Sequence, residues 1–172
     1  MTKKVSGVSM GQVDFGIIPI EGFSGGIWET DEIIVGENEI DNFCYIFLFP
    51  SDEDDYSSGC SERKFQLCFA FAGHLHQWKF EKNTIVYYFI IGNSIVPNIP
   101  ALSHPSIHLL RQFPSINLTN FEFDKVKYEF TRIHEEMNRL DMLEGIIFLR
   151  IDIIFDETYR FIEKRYANNT NT

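Results

Sequence analysis

Apolar and polar positions alternate through the first two thirds of the chain and give way to helical spacing after it. Val13 to Ile20 reads as a strand. Gly22-Phe-Ser-Gly-Gly26 reads as a turn, because glycines take positive φ at little steric cost. Ile27 to Val35 is a second strand, forming a hairpin with the first. Ile40 to Phe49 is a third, with Phe43, Tyr45, Phe47 and Phe49 on one face and Cys44, Ile46 and Leu48 on the other. Apolar residues on both faces mean a strand covered on both sides. Phe65 to Ala72 sets Phe65, Leu67, Phe69 and Phe71 against a face of smaller residues. Leu75 to Glu81 and Thr84 to Ile91 are two more strands, joined by a tight turn at Lys82-Asn83.

Gly92 to Pro100 carries no period. Ser103 to Phe113 reads as a short helix with Pro105 in its first turn, and Ile116 to Phe123 as a weaker strand. Asp124 is an N-cap for a helix to about Leu140, with Val126, Phe130, Ile133, Met137 and Leu140 on one face and Glu135–Arg139 paired one turn apart. Gly145 breaks the pattern. Ile146 to Phe155 alternates as a strand (Ile147, Leu149, Ile151, Ile153, Phe155), and Asp156 caps a last helix to about Tyr166. The expected fold is α+β: an antiparallel or mixed sheet of about seven or eight strands, with two main helices from the C-terminal third on one face. Residues 1–167 form a single globular domain and 168–172 a polar tail.

Composition sharpens this picture. The 17 Phe and 7 Tyr among 172 residues need a large core, which argues against disorder. No apolar run reaches the roughly 18 residues of a membrane span, and no apolar segment follows Lys3 and Lys4 to make a secretory signal. Cys44 and Cys68 lie in apolar runs, as buried thiols of a protein in a reducing compartment such as the cytoplasm. Cys60 sits in a polar stretch without a motif and reads as an ordinary loop residue.

Charge is the most uneven property. Residues 1–62 hold 13 acidic side chains against Lys3 and Lys4, a net −11, whereas residues 63–172 hold 12 acidic and 13 basic, a net +1. A nucleic-acid binder shows the opposite sign, and an anionic membrane would repel this chain. Asp52, Glu53, Asp54 and Asp55 are consecutive in a long polar loop, and Glu29, Asp31, Glu32, Glu37, Glu39 and Asp41 precede them. Such a surface speeds encounter with a basic partner. The loop lacks the ligand spacing of an EF-hand.

Four of the five histidines fall between residues 74 and 108. His74 and His76 share a face of an extended segment, and His104 and His108 are one helical turn apart. Together they form a candidate site for zinc or manganese, with a metal-bound water as the nucleophile of a hydrolase. Arg150 and Asp152, two apart, point to a pocket or to an ion pair with a neighbouring helix. Trp28 and Trp78 are either interface anchors or core. No Walker loop, dinucleotide fingerprint or nucleophile elbow is present.

The sequence therefore favours a binding protein without a cofactor over an enzyme. Its acidic surface would inhibit or neutralise a basic partner protein, in the manner of an immunity protein, a DNA mimic or a phage anti-defence inhibitor. The alternatives are the metal-dependent hydrolase and a structural subunit of a larger assembly.

Overall fold

The structure is a computed structural model that describes residues 21–31, 33–39, 42–51, 64–73 and 75–169. The expected strand at Val13 to Ile20, and the hairpin it would make, lie outside these residues, as does the loop from Asp52 to Glu62.

The fold is α+β. Five antiparallel strands make the main sheet: β1 (Phe23–Glu29), β3 (Cys44–Ser51), β4 (Lys64–Phe71), β6 (Ile85–Ile91) and β7 (Ser115–Leu118), in the order β1-β6-β3-β4-β7. Two further strands, β2 (Ile34–Glu39) and β5 (Leu75–Phe80), form a separate antiparallel pair. Among the described residues the sheet thus has five strands, fewer than the seven or eight expected, because one stretch read as a strand is helical and two strands pair apart from it.

Both faces of the sheet are buried, as the double-sided apolar pattern of β3 and β6 requires. On one face Ile46, Leu48, Leu67, Phe69, Phe89 and Ile91 meet two long helices, α2 (Asn120–Met137) and α3 (Glu144–Asn169). On the other face Tyr45, Phe47, Phe49, Ala70, Val86 and Ile90 form a second, aromatic cluster, closed by Phe80 from β5. Two 3-10 turns (Asn93–Asn98 and Pro100–Ser103) and the short helix α1 (Ile107–Gln112) lead from β6 to β7. The helix expected over Ser103 to Phe113 is thereby shortened, and His104 precedes it.

Several local readings are corrected. Gly22 to Gly26 is not a turn: only Gly22 has positive φ, and Gly25 and Gly26 lie inside β1 under Phe89 and Tyr88. Helix α2 starts four residues before Asp124. Thr119 caps it by accepting from the Glu122 amide (3.2 Å), while the Glu122 carboxylate accepts from the Thr119 amide (2.9 Å). This reciprocal capping box outcompetes the lone Asp, and it truncates the strand expected to Phe123 at Leu118. Val126, Phe130 and Ile133 are buried as the stripe predicts, but the helix ends at Met137 and Leu140 is fully exposed. Arg139 pairs with Asp141 (3.1 Å) and Glu136 (3.8 Å), and Glu135 with Arg132 (2.7 Å) in place of Arg139.

The largest correction is α3. Gly145 and Asp156 do not bound it, and Ile146 to Phe155 is helical. The run is apolar at nearly every position, so it satisfies a period of 2 and of 3.6 alike. The buried residues include Ile147, Ile151, Ile154, Phe155, Tyr159 and Ile162, at helical spacing, while Leu149 is 60% exposed. The helix continues to Asn169, through the start of the expected tail.

Candidate functional site

The acid-bearing segments are positioned by one long, bent ribbon. β1 pairs with β6 and β2 with β5 in a common register: Glu29 faces Ile85, and Ile34 faces Phe80. Four residues (30–33) separate β1 from β2, and four (81–84) separate β5 from β6, so the register passes the bend unchanged. The expected hairpin between β5 and β6 is replaced by this corner, because each strand pairs with the β1–β2 stretch rather than with its neighbour in sequence. Asn83, at φ +59°, supplies the left-handed residue that the bend needs.

Thr30 holds the corner together. It is fully buried. Its amide donates to the Thr84 carbonyl (3.0 Å), and its carbonyl accepts from the Asn83 amide (2.7 Å). Its hydroxyl donates to the Glu81 carbonyl (2.5 Å) and accepts from the Thr84 amide (2.9 Å). Every polar atom of this buried residue is satisfied, as its lack of water contact demands.

Glu29 and Asp31 flank Thr30, and both are exposed. Glu37 and Glu39 occupy alternate positions of β2, opposite Gln77 and Leu75 in the register. Phe80, opposite Ile34, packs into the aromatic cluster of the sheet. β1 and β3 both run antiparallel to β6, so Glu29 and Ser51 end their strands at the same edge of the sheet. Lys64, paired with Ser51, begins β4 there. The chain around the Asp52–Asp55 run thus leaves and rejoins the sheet at the edge that carries Glu29 and Asp31. Asp52, Glu53, Asp54, Asp55, Glu32 and Asp41 themselves lie outside the described residues.

The described histidines lie on different elements. His104 follows the second 3-10 turn. Its ring stacks on Tyr159 at 5.0 Å, and its Nδ1 accepts from the Ser106 amide (3.1 Å). His108 is exposed on α1, and His76 takes a position on β5 opposite Asn38. His74 lies outside the described residues. Among the described residues no group of three or more His, Cys, Asp or Glu is placed to hold a metal ion.

Arg150 and Asp152 lie on α3, not on a strand. Arg150 pairs with Glu129 of α2 (2.9 Å), whereas Asp152 accepts from the Ala101 amide (2.8 Å). Burial raises both described thiols: Cys44 far above its ordinary value, and Cys68 to about 11 despite its hydrogen bond to Ser115. Neither is a nucleophile at neutral pH. Trp28 packs edge-on against Phe80 at 6.1 Å, as part of the aromatic cluster. No sequence signal pointed to the Thr30 corner, since a lone Thr between two apolar runs carries no motif.

No protein-family model matches the sequence, and no curated protein is similar to it. No helix among the described residues is long and apolar enough to cross a membrane.

Proposed function

We propose that this protein is a non-enzymatic acidic binding protein that inhibits or neutralises a partner with a basic surface. The observation that carries the reading is the segregation of charge, −11 over residues 1–62 against +1 over the remainder. An excess spread evenly would serve solubility alone. An excess confined to one stretch of chain makes a field that steers a cationic partner. The common sheet edge of Glu29 and Ser51, with Glu37 and Glu39 two apart on the adjoining β2, supports a working surface drawn from those segments. Asp52, Glu53, Asp54 and Asp55 would contribute the densest charge. The partner is a protein, in a reducing compartment such as the cytoplasm, and the surface repels nucleic acid.

The test is affinity capture from host lysate with wild type beside a variant carrying Asp52→Asn, Glu53→Gln, Asp54→Asn and Asp55→Asn. A basic protein held by wild type, released by salt and lost by the variant is the expected result. Identical partners on both baits would end the reading.

A further inference from the structure

The two outer strands of the main sheet differ. β7 has four residues and leads directly into the capped start of α2. β1, on the opposite side, lacks the proline, charge or bulge that commonly protects an outer strand. Between Phe23 and Trp28 it has no proline and no charged residue, and its register with β6 is unbroken. The direction of its backbone groups follows from the two ends of that ladder. The Gly92 amide donates to the Gly22 carbonyl (2.8 Å), and the Thr30 amide to the Thr84 carbonyl (3.0 Å). Even-numbered residues of this stretch therefore bond to β6, and Phe23, Gly25 and Ile27 turn their N–H and C=O groups outward. Among the described residues no strand pairs with that side.

The helix layer brings apolar surface to the same side. Phe123 of α2 stacks on Phe65 of β4 (3.7 Å) and Phe130 meets Tyr87 of β6 (6.2 Å), so the C-terminal end of α2 reaches β1, the next strand. The turn that follows α2 exposes Leu140, Met142 and Leu143. Outward backbone groups and pockets for alternate side chains are what an added strand uses. The ends of β1 are acidic: Glu21 precedes it and Glu29 and Asp31 close it, all three exposed, and Lys82 across the corner offsets one of them. A second copy of this chain, paired antiparallel about Gly25, would set Glu29 against Glu21. We propose that the outer side of β1 takes an extended segment of a partner protein, apolar in its middle and basic at its ends, as an added strand. The basic ends rest on the reading of an acidic binding protein, whereas the strand pairing rests on the ladder alone.

The probe is a synthetic peptide of alternating Val and Thr with Lys pairs at its ends, added to the full chain and followed by amide NMR. It is expected to slow exchange at Phe23, Gly25 and Ile27 and to leave the amides of β4 unchanged. The same peptide with alternate amides N-methylated, or with Glu in place of Lys, is expected to bind about tenfold or more weakly, the worth of one or two hydrogen bonds. Ile27→Pro removes an outward donor and no bond to β6, and is expected to weaken binding to the same extent. If that variant does not fold, the N-methylated peptide decides. Equal binding of the plain and methylated peptides, or no change at the three amides, overturns the added strand. Slow exchange at those amides in the free protein overturns it equally, because the outer side of β1 is then already covered by this chain or by a second copy. Affinity capture separates this from the charge reading, since Ile27→Pro keeps the Asp52–Asp55 run. A basic partner held by Ile27→Pro and lost by the neutralised loop variant upholds that reading and rejects the strand.

Discussion

The Tyr159 hydroxyl donates to the Ala101 carbonyl at 2.8 Å, and seven residues earlier on α3 the Asp152 carboxylate accepts from the amide of that same alanine at 2.8 Å. Two side chains about two helical turns apart thus hold both polar groups of one residue. They fasten the 3-10 segment to the helix layer. Tyr159→Phe keeps the ring on Phe155 and His104 and leaves the Ala101 carbonyl with the His104 amide (3.2 Å) as its remaining donor. The expected cost is about 0.5–1.5 kcal/mol in urea unfolding, the net worth of one hydrogen bond. Unchanged stability would mean that the His104 amide alone satisfies this carbonyl.

Asp152 also gives the fold a pH dependence of known sign. Partial burial raises its pKa, with a further push from Asp156, and the Ala101 amide only partly opposes this. The native protein therefore holds the proton to a higher pH than the unfolded chain does. Between the ordinary carboxylate value near about 4 and the raised native one, the native state binds more protons, so stability falls as pH rises. Asp152→Asn retains an oxygen for the Ala101 amide and has no charge to bury. It is expected to lose less stability than wild type as pH rises through that window, as read from unfolding midpoints. Parallel curves for the two proteins would dismiss the assignment.

The helix α3 shows where the chain's pattern was informative and where it was not. Strand and helix readings place different residues inside: alternation buries Leu149 and Ile153 with Ile151, whereas the helix buries Ile151, Ile154 and Phe155. Ile154→Ala is expected to cost about 2–5 kcal/mol, the range for emptying a packed core site. Leu149→Ala is expected to stay within about 0.5 kcal/mol, as exposed positions do. The reverse order would restore the strand. Legibility was good where only one period fitted, as in Phe65, Leu67, Phe69 and Phe71 on one face of β4, or Val126, Phe130 and Ile133 on α2. It failed where nearly every residue was apolar, because only tertiary packing then selects the period.

The candidate site was legible in its charge and not in its geometry. Glu29, Asp31, Glu37 and Glu39 announce themselves by type, but their spatial relation depends on a corner built from Thr30, Asn83 and Thr84, and a turn signal at Lys82-Asn83 reads equally as a hairpin. The histidines were gathered by sequence spacing alone. His104 is engaged by Tyr159, which lies 55 residues away along the chain (159 − 104) and could not be inferred from spacing.

Two glycines separate backbone freedom from close packing. At Gly25, inside β1, an added Cβ would stand 2.6 Å from Phe89 Cδ2 and 2.9 Å from the Tyr88 carbonyl oxygen. Phe89 is fully buried and stacks on Phe23 at 5.6 Å, so its ring has little room to retreat, and the Tyr88 carbonyl belongs to the backbone of a central strand. Gly25→Ala is therefore expected to destabilise by about 1–3 kcal/mol, the range for overpacking. At Gly145, in the first turn of α3, a Cβ would meet nothing within 4 Å, and its φ is not in the left-handed region. Alanine there removes backbone entropy from the unfolded chain and suits the helix, for an expected gain of up to about 1 kcal/mol. Opposite signs for the two substitutions in one set of unfolding curves place Gly25 beneath a ring and Gly145 inside a helix. A loss at Gly145 would contradict the start of α3, and no loss at Gly25 would contradict the pairing of β1 with β6.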